Sequence, residues 1–228
     1  MKKEILKSIK GVVFDMDGLM FDSERIVKHS RNVAGGKLGY GNLGDENIFH
    51  TLGFDRERRK QYFLEKYGAD FPFETFAAHY RRAFSDYVKE QGLPVKKGLH
   101  RLLETLNSRG IKMAVATSSG RSYALDNIRG EGISHFFTGI VSGDMVTRGK
   151  PDPEIYEKAC ALLELPASCC LALEDAAHGI LSAHRAGMKT VFVPDLVKDS
   201  SRIDKFLDGK AENLEKVAQY FEQLDNKI

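Results

Sequence analysis

A doubly wound α/β fold carrying an all-helical insertion is the architecture that the sequence predicts, from two observations. Short, continuous apolar runs recur between segments of helical periodicity over residues 93–228, the pattern of a parallel sheet covered on both faces. Residues 24–92 instead hold helical aromatic stripes and no strand of comparable quality, so the chain leaves the sheet after its first strand and returns before the second. The expected organisation is a core domain of residues 1–23 and 93–228, with 24–92 as a helical cap domain over the carboxyl ends of the strands.

Taken in order, Gly11 to Phe14 is the first strand, ending at Asp15. Within the insertion, Tyr62, Phe63 and Tyr67 make one helical stripe, and Phe76, Tyr80, Ala83, Phe84, Tyr87 and Val88 make another, read as cap core. The stretch GGKLGYGNLG (Gly35 to Gly44) lacks the GK[ST] ending of a P-loop and reads as a loop between cap helices. Leu99, Leu102, Leu103 and Leu106 share a helix face closed by Arg109-Gly110. Ile111 to Thr117 is a strand, and Gly139 to Ser142 another. Asp152-Pro153 reads as an N-cap followed by a first-turn proline, opening a helix with Ile155, Ala159, Leu162 and Leu163 on one face and Pro166 as its stop. Leu171 to Asp175 is a strand, a helix then runs to Gly187, and Thr190 to Pro194 is the last strand expected.

The 34 basic and 32 acidic side chains nearly cancel, leaving a net charge of +2 without long single-sign runs, so composition argues for neither nucleic acid nor membrane as partner. Cys160, Cys169 and Cys170 form no CxxC pair, which speaks against a disulfide or zinc framework and for a reducing compartment. Lys7, Lys10 and Asp15 interrupt the apolar stretch at the N-terminus, leaving no signal-peptide core. A cytoplasmic protein is the expectation.

In doubly wound sheets, ligands bind beyond the carboxyl ends of the strands. Collecting the polar residues there brings together Asp15, Asp17, Thr117, Ser118, Glu174 and Asp175. Four carboxylates would repel one another unless a cation sat among them, and oxygen-only donors point to a hard ion such as Mg2+. Lys150, just before the capped helix, adds a positive charge. Carboxylates, hydroxyls, one lysine and Mg2+ describe a site for a phosphate group. Asp15 can serve as nucleophile through an aspartyl-phosphate, and Asp17, two residues on, as acid and then base. Gly18 permits a tight turn that could aim an N–H at the phosphate.

Four motifs, DMDGLMFDS (Asp15 to Ser23), TSS (Thr117 to Ser119), GKPDPEIY (Gly149 to Tyr156) and LEDAAHGI (Leu173 to Ile180), together resemble those of haloacid dehalogenase-superfamily phosphotransferases with a helical cap, close to the β-phosphoglucomutase-like phosphatases. The resemblance implies Asp15 as nucleophile, Asp17 as acid/base, and Mg2+ held by the Asp15 carboxylate, the Asp17 backbone carbonyl and Asp175, with Glu174 contributing directly or through water. It implies that Thr117, Ser118 and Lys150 hold the phosphoryl group. Arg56, in GFDR (Gly53 to Arg56), falls where related mutases keep an arginine for a distal phosphate. Ala176 stands where the family has serine. Mutases of the family carry a histidine where this chain has Val27; the nearest, His29, is rotated about 200° away on a helix. The reading is thus a phosphatase acting on a small phosphorylated metabolite, a sugar phosphate above others, with a phosphosugar mutase as the alternative. A phosphoacceptor signalling module is disfavoured by an acid/base so close to the acceptor.

Asp22 and Ser23 read as hinge and cap residues of the insertion, and His178 and His184, six apart, as surface or helix-packing residues.

Overall fold

The computed structural model describes residues 1–52, 54 and 56–224. The chain divides into two compact units, Met1–Phe21 with Val95–Ile228, and Asp22–Pro94, against the expected boundaries of 24 and 92.

The first unit opens with α1 (Lys3–Ser8) and β1 (Gly11–Phe14), and leaves for the second unit after Phe21. The second unit holds α2 (Ser23–Lys37), α3 (Leu43–Thr51), α4 (Arg56–Tyr67) and α5 (Phe73–Gln91). Back in the first unit follow α6 (Leu99–Ser108), β2 (Lys112–Ala116), α7 (Arg121–Gly130), β3 (Gly139–Val141), α8 (Glu154–Leu163), β4 (Cys170–Glu174), α9 (Ala177–Arg185), β5 (Lys189–Phe192), β6 (Gly209–Lys210) and α10 (Leu214–Glu222). None of the described helices is long and apolar enough to cross a membrane.

The six strands form one parallel sheet in the order β3-β2-β1-β4-β5-β6. β1 is wholly buried, as a central strand covered on both faces must be. Its register sets Phe14 beside Val115 of β2 and Leu173 of β4, so the residues that follow those strands emerge side by side. On one face, Ile155, Tyr156, Ala159 and Leu163 of α8 pack with Val13, Ala114 and Ala172 of the sheet. α8 starts at Glu154 with Pro153 at the cap position, one residue later than expected, although Asp152 Oδ1 still accepts the Glu154 N–H at 3.1 Å. Its end is made by Glu164, which takes left-handed backbone at φ 56°, before Pro166 is reached. β6 lies outside the expectation because two residues carry no periodicity, and α10 follows it, capped by Asn213, whose Oδ1 accepts the Lys216 N–H at 2.9 Å.

The second unit is all helical. Phe63 of α4 is its centre: Phe76 of α5 stands 5.0 Å from it and Phe71 5.3 Å, ring centroid to centroid. The expected stripe on α5 divides, with Phe76 buried and Ala83, Phe84, Tyr87 and Val88 only half-buried. The glycine-rich stretch is not one loop. Gly35 and Gly36 lie inside α2, Gly44 lies in α3, and the connection is Leu38 to Asn42. The helical glycines serve close approach: a Cβ on Gly35 would overlap the Gly41 carbonyl, and one on Gly44 the Lys28 carbonyl. Asn32 of α2 then reaches Asp45 with both its amide groups, at 2.7 and 3.0 Å.

Gly44→Ala should therefore destabilise the protein by about 1–3 kcal/mol, because a methyl group pressed onto backbone outweighs alanine's better helix propensity; a lower urea midpoint at unchanged slope is the expected readout.

Candidate active site

β1 ends at Phe14, and Asp15, the next residue, is held by its own N–H to the Leu173 carbonyl of β4 at 3.1 Å. The residue is 8% exposed. Glu174, the last residue of β4, is 1% exposed. Lys150 joins the two. Its Nζ donates to Asp15 Oδ1 at 2.6 Å, to Glu174 Oε1 at 2.6 Å and to the Ala116 carbonyl, at the end of β2, at 3.0 Å. One buried ammonium thus links three neighbouring strand ends. Tyr156, at the start of α8, adds a fourth tie, its hydroxyl donating to Glu174 Oε1 at 2.6 Å.

Burial alone would push the Lys150 ammonium down, but the facing Asp15 and Glu174 carboxylates hold it above its ordinary range. Burial raises the Asp15 carboxyl well above the usual carboxylate range; Lys150 opposes this, while Glu174 and Asp17 add to it. Burial, with the charge of Glu174, also raises the Tyr156 phenol, so it stays a donor.

Asp175 completes a group of three. Asp15, Glu174 and Asp175 each offer a carboxylate oxygen, and these lie within 4.8 Å of one another. Hard oxygen donors at this spacing, with more negative charge than Lys150 balances, fit a divalent cation such as Mg2+. Glycines make room for the group. A Cβ on Gly179 of α9 would overlap the Glu174 carboxylate, and one on Gly18, at φ 85°, would overlap that of Asp175.

The Asp17 carboxylate has partners of its own. Its Oδ2 accepts from Ser119 Oγ at 2.6 Å and its Oδ1 from the Tyr123 hydroxyl at 3.3 Å. A contribution of Asp17 to a metal would therefore come from its backbone carbonyl, as the resemblance implies. Thr117 is buried and its Oγ1 accepts the Ser119 N–H at 3.1 Å, shaping the turn after β2, while Ser118 is exposed. Neither hydroxyl caps α7; Asp144 Oδ2 accepts the Arg121 N–H there, at 3.1 Å. Gly18 departs from expectation, for its N–H is donated to the Phe21 carbonyl at 2.9 Å and is not available to an anion. The return of the chain at Phe21, which also bridges Val95, takes up that donor.

In the helical unit, Arg56 is half exposed and pairs with Glu57 at 3.2 Å and with Glu74. Gly53 and Asp55 of its motif lie outside the described residues. Asp22 pairs with Arg25, and Ser23 opens α2. His184 is exposed and lies against Phe206 at 5.0 Å. The three cysteines are free thiols.

Three contributors were not singled out in the sequence. Tyr156 lies within GKPDPEIY, but its periodicity marks it only as a core position of α8. Ser119 and Tyr123 become visible as partners of Asp17 only when the turn after β2 is built.

A family model for haloacid dehalogenase-like hydrolases matches residues 12–193. A phosphorylated carbohydrates phosphatase of Thermotoga maritima is 30% identical over 190 residues, covering 81% of this chain and 84% of its own. Among solved structures, β-phosphoglucomutase from Clostridium difficile aligns with a TM-score of 0.74 at 19% identity, over 94% of this chain and 98% of that one. CbbY from Rhodobacter sphaeroides, in complex with phosphate, aligns with a TM-score of 0.71 at 24% identity, over 92% and 96%. At these identities the structural matches speak for the fold.

The raised Asp15 carboxyl has a consequence for stability. A group that holds its proton more tightly folded than unfolded contributes stability below its unfolded pKa and loses it as pH rises through the folded value. In chelator, the wild type should lose thermal stability from the ordinary carboxylate range upward, and Asp15→Asn should lose less and melt higher at neutral pH. Mg2+ should raise the melting temperature of the wild type more than that of Asp15→Asn.

Proposed function

The chain belongs to the haloacid dehalogenase-like hydrolase family, and from that premise we propose that it is a Mg2+-dependent phosphatase acting on a small phosphorylated metabolite, a sugar phosphate first among candidates. The observation that carries the reading is the separation of two carboxylates two residues apart: Asp15 bound to Lys150, and Asp17 bound to Ser119 and Tyr123. Two environments for two acids are what a nucleophile and a general acid/base require. The Thermotoga relative, a phosphorylated carbohydrates phosphatase, supports the substrate class.

Lys150 orients Asp15 through Oδ1, and an oxygen of that carboxylate attacks phosphorus. The new O–P bond forms as the ester O–P bond breaks, and the departing alkoxide takes its proton from Asp17. Water then attacks the phosphorus of the aspartyl-phosphate, giving a proton back to Asp17; inorganic phosphate leaves and the Asp15 carboxylate is restored. Lys150, whose charge is held by the Asp15 and Glu174 carboxylates, offsets negative charge on the phosphoryl oxygens. Asp15 and Asp175, with Glu174 beside them and the Asp17 carbonyl, would hold Mg2+, which supplies further charge neutralisation there. Ser119 and Tyr123 orient the Asp17 carboxyl through its two oxygens.

The test is phosphate release from a panel of sugar phosphates and nucleotides with Mg2+. Asp15→Asn should abolish turnover, and Asp17→Asn should reduce it by about 10²–10⁴-fold, the range for a lost general acid/base. Full activity in Asp15→Asn would rule out the covalent route. Loss of one orienting hydrogen bond in Ser119→Ala should lower kcat by about tenfold, the worth of one bond to a charged group. Offered β-glucose 1-phosphate and a bisphosphate primer, the protein should release phosphate faster than it forms glucose 6-phosphate; the opposite order would make it a mutase.

A further inference from the structure

The helical unit contains a charge arrangement that the reaction centre does not use. Arg31 of α2 is 2% exposed. One N–H, on Nη1, goes to Thr51 Oγ1 of α3 at 2.8 Å, and the guanidinium carbon stands 5.6 Å from the centre of the Tyr80 ring. Arg59 of α4 reaches the same tyrosine from another side, its Nη1 lying 3.4 Å from the Tyr80 hydroxyl, while its Nη2 donates to the Phe54 carbonyl at 2.6 Å. The Nε of both arginines is buried without a hydrogen-bond partner.

Neither guanidinium has an ion pair with a carboxylate among the described residues. Other arginines of the unit do: Arg25 with Asp22, Arg56 with Glu57 and Glu74, Arg82 with Asp86. Glu24, two turns before Arg31 on α2, exerts a charge effect on it without a hydrogen bond between them. Two like charges, one fully enclosed, cost free energy unless something of opposite sign joins them. The strain registers on Arg31: burial first, and the positive charge of Arg59 second, pull its pKa down to about 10.

We propose that Arg31 and Arg59, with the Tyr80 hydroxyl beside them, form a binding site for a small oxyanion group, carboxylate or phosphate; the Thr51 hydroxyl already donates to the Asn47 carbonyl at 2.9 Å and only anchors Arg31. Paired guanidiniums with unused N–H donors match the planar or tetrahedral arrays of acceptor oxygens in such groups. Arg59 is only partly buried, so the pair is open on its side. The site is distinct from Arg56, whose charge already meets two carboxylates. The anion is either a free ion or an acidic group carried by a substrate; the second source rests on the phosphatase reading, the first does not.

Two arms separate these sources, both on the full chain with wild type, Arg31→Gln and Arg59→Gln. In chelator, sulfate should raise the melting temperature of the wild type, and the variants should need about tenfold or more sulfate for the same shift, the worth of a lost bond to a charged group. With Mg2+, matched phosphate esters with and without a second acidic group should show a kcat/KM preference for the acid-bearing member that both variants lose, turnover of the neutral member being retained. Loss of the sulfate response alone assigns the site to a free ion; loss of the ester preference assigns it to substrate. Should Arg31→Gln fail to fold, the partly exposed Arg59→Gln carries both arms. If no ester is turned over, the phosphatase reading fails and the sulfate arm still decides this one. Unchanged sulfate response together with unchanged ester preference in the variants would overturn the proposal.

Discussion

The Lys150 ammonium is the constraint around which the site is built. It is buried and touches groups at the ends of three adjacent strands: Asp15 after β1, the Ala116 carbonyl of β2 and Glu174 of β4. Removing the ammonium would leave two buried carboxylates uncompensated, at a cost of about 3–5 kcal/mol, so the geometry of the strand ends and the electrostatics of the site are one problem. The two acids repel one another, and each is tolerable in its buried place because Lys150 donates to it. Asp175 joins the two within 4.8 Å, so three carboxylate oxygens converge where a divalent cation could be held.

Much of the sheet unit was legible from sequence because its physics is local and repetitive. β1 matches its apolar run residue for residue, and α8 begins within one residue of the place that Asp152 and Pro153 mark. The strand ends followed from topology, so Asp15, Lys150, Glu174 and Asp175 could be gathered before any distance was known. What periodicity could not reveal was direction. Gly18 reads equally well as a turn that frees an N–H or as one that consumes it, and the Phe21 carbonyl decides for the second. Ser119 and Tyr123 meet Asp17 across a separation of more than a hundred residues, a contact carried by no spacing rule.

The helical unit was less legible for a related reason. Aromatic periodicity located α4 and α5, yet only the Phe76 end of the α5 stripe is fully enclosed. Glycines suggested chain reversal, while Gly44 lets α3 approach the α2 backbone at Lys28 and Gly35 lets α2 approach the connection at Gly41. Composition cannot distinguish a glycine chosen for its dihedral freedom from one chosen for the absence of a side chain. Nor can it distinguish Arg31 and Arg59 from the paired arginines around them, because each stands in an ordinary helical segment and only burial sets it apart.

Gly18 and Gly179 bear on how this fold can acquire new substrates. Both sit where any side chain would enter the volume of a carboxylate, Asp175 in one case and Glu174 in the other. A substitution at either position would press on the carboxylate cluster whatever molecule the protein acts on, so the cluster should tolerate little change there. Variation that survives must accumulate elsewhere, in segments such as the open ends of α4 and α5 whose side chains are half exposed. Chemistry held fixed by two missing methyl groups, beside a helical surface free to diversify, would let a lineage change what it recognises without reinventing what it does.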